Sequence, residues 1–74
     1  MEGTYDPEAD CAYLRLVATV EVGASRRQAV VRGVGLKADL VLDIDENDRI
    51  LGIEIFDARD VLREDTIAAL RQLP

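Results

Sequence analysis

Residues 38–57, ADLVLDIDENDRILGIEIFD, constrain the fold more than any other stretch. Leu40, Leu42 and Ile44 alternate with Val41, Asp43 and Asp45, and Leu51, Ile53 and Ile55 alternate with Ile50, Gly52 and Glu54. A period of two marks a strand with one buried face. Asn47-Asp48 reads as a two-residue type I′ turn, in which both central positions need a positive φ that Asn and Asp tolerate better than most residues. That turn sets Glu46 opposite Arg49 as an ion pair, Ile44 opposite Leu51, Leu42 opposite Ile53 and Leu40 opposite Ile55. All six apolar residues then share one face. A slip by one residue would scatter them, so the pattern specifies the register. The hairpin is therefore the expected core.

The flanks extend the sheet. Thr4 and Tyr5 end a first strand, Asp6 to Asp10 form a proline turn, and Cys11 to Val17 alternate again. Ala12, Leu14 and Leu16 point one way, Cys11, Tyr13 and Arg15 the other. Between Val17 and Lys37 the signal weakens: VATVEV can prolong the second strand, Gly23-Ala24-Ser25 breaks it, 27–32 reads as a strand, and Gly33 and Gly35 mark a bend. Asp57 is placed to cap a helix over 58–62. A helical stretch over 64–73 has acidic residues early and Arg71 late, which suits the helix dipole. Its stripe of Ile67, Leu70 and Leu73 would cover the sheet or dock on a partner subunit. The expectation is a single α+β domain over residues 1–74. It is a small, meander-like antiparallel sheet of about four or five strands (near 1–5, 11–17, 27–32, 38–46 and 49–56), followed by a C-terminal helix.

Size and charge limit the function classes. A chain of 74 residues has a marginal core. Small domains compensate with disulfides, metals or oligomerisation. A single cysteine, Cys11, allows no internal disulfide, and with no histidine it builds no closed zinc site. A homo-oligomer is expected on that ground. Fifteen acidic against nine basic side chains, net −6, disfavour direct nucleic-acid binding and an anionic membrane surface, and suit a basic protein partner instead. No apolar run reaches the length of a membrane span, and MEGTYDPEAD lacks the basic and apolar regions of a signal peptide. A cytoplasmic protein with a reduced Cys11 is the expectation.

The polar side of the hairpin raises a chemical question. Asp43, Asp45, Asn47 and Glu54 fall at positions 1, 3, 5 and 12 of a calcium-binding EF-hand loop, with Ile50 at position 8. Asp48 stands where that loop needs glycine, and residues 38–45 alternate like a strand rather than a helix. An extended hairpin spreads these oxygens apart, so the hairpin reading prevails. A looser polar-face cluster stays open: Asp43, Asp45 and Glu54, joined by Tyr13 and Arg15 if the second strand lies alongside. It would suit acid–base chemistry or loose binding of a cation or small ligand. The plainer reading is a solvated acidic face salt-bridged by Arg15. Cys11 has no histidine to activate it. Asp6 and Asp10 read as turn and cap acceptors, and Tyr5 and Tyr13 as core-edge or interface residues. Gly33-Val34-Gly35 is too short for a phosphate loop. No catalytic constellation and no cofactor site emerge, and an enzyme is not expected.

Two motifs stand together, YDPEADCAYLRL at 5–16 and LDIDENDRILGIEIFDA at 42–58. The chain resembles domain-of-unknown-function family 2283, a set of small bacterial proteins with a Tyr-Asp-Pro-Glu-Ala-Asp opening, a Tyr-x-Arg strand and an Asp-x-Asp-Glu-x-Gly-Arg-Ile-x-Gly-Ile-Glu-Ile hairpin. The resemblance implies a small antiparallel sheet with a C-terminal helical piece and implies no activity. Some members are encoded beside small toxin-like proteins, which suggests a partner or antitoxin-like role. The chain departs from the pattern at Asp48, where glycine is usual, at Cys11-Ala12 in place of Ala-Leu, and in a longer 17–37 segment. The functional expectation is a self-associating acidic interaction module. The alternative is a ligand- or cation-binding protein using the acidic face.

Overall fold

In the computed structural model, which describes residues 2–19, 21, 23–33 and 35–74, one mixed sheet carries two short helices. The strands are β1 (Glu2–Asp6), β2 (Cys11–Arg15), β3 (Arg27–Val31), β4 (Leu40–Ile44), β5 (Ile50–Phe56) and β6 (Arg71–Gln72). The helices are α1 (Ala58–Val61) and α2 (Glu64–Ala69). The protein is α+β, as the alternating pattern implies. Among the described residues the strands number six, and the order β3-β4-β5-β2-β1-β6 is not a meander: β5 sits between β4 and β2, and β6 joins β1 in parallel. VATVEV does not prolong β2 where it is described: β2 ends at Arg15 and residues 17–18 form a bend, while Val20 and Val22, and Val34 of the glycine bend, lie outside the described residues.

Cross-strand pairs share a face, so the register sorts the sheet into rows. On the helix side one row runs Tyr5, Ala12, Ile55, Leu40, Val31 and the next runs Gly3, Leu14, Ile53, Leu42, Ala29. Tyr5, Ala12, Ile55 and Ala58 are the buried centre, with Leu14, Ile53, Leu62, Ile67 and Leu70 packed around them. The hairpin pairs Leu40–Ile55 and Leu42–Ile53 as its pattern demands, but the hydrophobic centre lies over β2 and β5, not over the hairpin alone. Gly3 lets α2 approach β1, because a Cβ there would overlap the Leu70 side chain.

Three local expectations are corrected. The hairpin loop is Glu46-Asn47-Asp48, not Asn47-Asp48. Asp45 N–H donates to Arg49 O at 2.9 Å, Asp48 N–H to Asp45 O at 3.2 Å, and of the loop residues only Asp48 has a positive φ, 62°. This is the turn-plus-left-handed-residue form of a three-residue hairpin. A bulge at Asp43/Ile44 absorbs the extra residue, so Ile44 faces Ile50 rather than Leu51, and Glu46 forms no pair with Arg49. Second, Asp57 precedes α1 without a side-chain cap. Asp10 caps it instead, its main-chain oxygen accepting from Ala58 N–H at 3.0 Å and its Oδ1 from Arg59 N–H at 3.2 Å. Third, the helix expected over 64–73 stops at Ala69. The Gln72 amide closes it, donating to Ile67 O and Leu70 O at 2.9 and 2.8 Å, and Leu73 leaves the apolar stripe to donate its N–H to Tyr5 O at 2.8 Å.

Candidate functional site

The helices pack on one side of the sheet, and the candidate residues lie on the other. Across that open face one row reads Thr4, Tyr13, Glu54, Val41, Val30 and the next Glu2, Arg15, Gly52, Asp43, Gln28. The predicted partners Tyr13, Arg15, Asp43 and Glu54 therefore do share a face, because β2 lies against β5. Tyr13 Oη donates to Asp43 Oδ2 at 3.2 Å although β5 runs between their strands. Gly52 makes that reach possible: a Cβ there would overlap the Tyr13 phenol. Gln28 Nε2 donates to Asp43 Oδ1 at 2.9 Å, so both carboxylate oxygens are engaged and a polar bridge links β2, β4 and β3.

Electrostatics follow from this packing. Burial raises the Tyr13 phenol, and the bond to Asp43 raises it further. Burial also raises the Glu54 carboxyl, with the Asp43 charge diagonal to it adding to the shift. Asp45 is absent from the cluster. Its Oδ1 accepts from Asn47 N–H at 2.8 Å and Arg49 N–H at 3.0 Å, and these backbone bonds hold its carboxyl below the ordinary value. Arg15 turns to Glu2 on β1 rather than bridging the acidic residues. Beside that pair lies a groove of about 390 Å³ lined by Glu2, Thr4, Tyr13, Arg15 and Arg71. Burial, reinforced by Glu54, Asp6 and Asp10, raises the Cys11 thiol, the opposite of nucleophile activation. Tyr5 is a core residue whose hydroxyl donates to Asp10 Oδ1 at 2.7 Å. Among the described residues no three acidic or thiol groups gather as a metal site.

Gln28 and Gly52 are the members that sequence reasoning missed. Gly52 had a signal, an isolated glycine in a strand, which marks close approach of another group. A second feature lies at the edge of the sheet. Among the described residues the outer side of β3 has no strand neighbour, and Val30 and Val31 are 52% and 36% exposed.

The order of strands and turns that builds both features is the part of the chain matched by a family model described as a protein of unknown function (DUF2283), over residues 4–59. The chain belongs to the DUF2283 family. The DUF2283 match takes in the last three residues of β1, all of β2 to β5 and the entry to α1, with Tyr13, Asp43, Gly52 and Glu54 inside it and α2 and β6 beyond it. Comparisons with curated proteins and with solved structures find no match.

Proposed function

We propose that this DUF2283 chain is a small protein-interaction module that offers the free edge of β3 to another chain, either a second copy or a separate partner. A small toxin-like protein, the association suggested by the family resemblance, is one partner class of suitable kind. One observation supports this reading above the rest: β3 is five residues long, is unpaired on its outer side among the described residues, and exposes Val30 and Val31 on opposite faces. Such an edge presents unsatisfied N–H and C=O groups that pair with an added strand. The ligand- or cation-binding alternative has less support, since Asp45 is engaged in its own turn and Asp43 has both oxygens bonded.

The test compares the wild-type chain with Val30→Lys/Val31→Lys by size-exclusion chromatography with light scattering, alone and with candidate partners. Both side chains are exposed, so the double variant is expected to fold. The reading predicts a complex or oligomer that the lysines abolish. A wild-type chain that stays monomeric and binds no partner through β3 would overturn it.

A further inference from the structure

The occupant of the β3 edge can be specified by charge and register, and this step rests on the interaction-module reading above. Although the chain carries a net charge of −6, residues 22–38 contain Arg26, Arg27, Arg32 and Lys37 and no acid. The segment that carries the free edge is thus basic in sequence within an acidic protein. Arg27 and Arg32 bracket the exposed valines. Each has an internal partner, Asp48 at 3.0 Å and Asp39 at 3.1 Å, but all four side chains are well exposed. Exposed pairs of this kind are worth little and exchange partners readily.

A second copy fits this edge poorly. Two-fold antiparallel pairing of β3 with itself uses all five residues only when centred on Ala29. That register sets Arg26 opposite Arg32 of the second copy, and like charges directly opposite are destabilising. Moving the axis by one residue leaves only three of the five residues paired.

We infer that the edge of β3 takes up an extended acidic strand of a partner protein, antiparallel, with carboxylates opposite Arg27 and Arg32 and apolar side chains opposite Val30 and Val31. Backbone hydrogen bonds supply the attachment, and the two end charges select the strand and its register. Read from its N-terminus, the partner strand runs acidic, apolar, apolar, any, polar, acidic.

The experiment titrates the isotopically labelled full chain with the peptide Glu-Val-Val-Thr-Thr-Glu and follows backbone amide shifts. A lysine-ended version and a single-stranded oligonucleotide serve as controls. The expected result is a shift confined to β3 and its neighbours, with the lysine-ended peptide binding about tenfold or more weakly. The variant Arg27→Glu/Arg32→Glu, checked for an unchanged melting profile, should reverse that preference. Equal binding of the two peptides, shifts away from β3, or preferential binding of the oligonucleotide would overturn the inference. If the peptide does not bind but light scattering shows self-association through β3, the acidic-strand assignment fails and the interaction-module reading stands. If neither a peptide nor a second copy nor any partner engages β3, both fail.

Discussion

Gly52 and Tyr13 act as one unit at the residue scale. The missing side chain on β5 lets the phenol cross to Asp43, so Gly52→Ala should displace Tyr13 and cost about 1–3 kcal/mol, as overpacking does. A double-mutant cycle by denaturant unfolding checks this. The cost of Gly52→Ala should fall sharply in a Tyr13→Ser background, because the overlapping atoms are then gone. Glu54 sets a pH dependence of known sign. Its folded carboxyl titrates above the ordinary value of 4.5, so the folded state holds a proton that the unfolded state has lost, and stability falls as pH rises through that window. Glu54→Gln should stabilise the protein at neutral pH by up to about 0.5 kcal/mol, the scale of a like-charge pair on a sheet face. The gain should vanish in melting experiments below the ordinary carboxylate range. Asp45 has the opposite sign: its carboxyl lies below 3.8, and its contribution is present above that value and lost as pH falls through the folded one.

At the scale of elements, the hairpin loop shows how one residue resets a register. Asp48 occupies a left-handed position that suits glycine, and its φ of 62° is a conformation with a cost for a residue carrying a Cβ. Asp48→Gly should therefore raise stability by about 0.5–1 kcal/mol, read as a higher melting temperature, after allowing for glycine's larger unfolded entropy and the loss of an exposed pair with Arg27. The two strands of this hairpin, and the pairs Leu40–Ile55 and Leu42–Ile53, were legible because alternation specifies which residues face each other. The bulge was not. A two-residue and a three-residue loop differ by one unpaired residue, and Ile50 and Leu51 are both apolar, so the pattern accepts either. The capping of α1 was likewise hidden. Asp57 has the right residue type at the right place, whereas Asp10, which makes the bonds, lies 49 residues away from Arg59 in the chain.

Among the described residues the sheet ends in a two-residue strand on one side and a five-residue strand on the other. β6 pairs with β1 and Leu73 bonds to Tyr5, so the β1 side is covered. Deleting residues 71–74 should expose that edge, lower the melting temperature and promote association, all measurable by calorimetry and light scattering. Among the described residues the β3 side has no strand neighbour, and a partner is proposed there. Of the candidate cluster, the common face of Tyr13, Arg15, Asp43 and Glu54 could be anticipated from alternation along each strand. The partners could not: Arg15 pairs with Glu2, Asp45 turns inward to its own loop, and Gln28 joins from β3. By itself the sequence determined the α+β class, the two hairpins and the inward residues of β2 and of the paired parts of β4 and β5, since these depend on local periodicity. Only the tertiary structure decided the strand order, the parallel β6, the cap from Asp10 and the free basic edge. Those are pairings between distant segments, set by which apolar rows fit side by side, and nothing local in the chain encodes that choice.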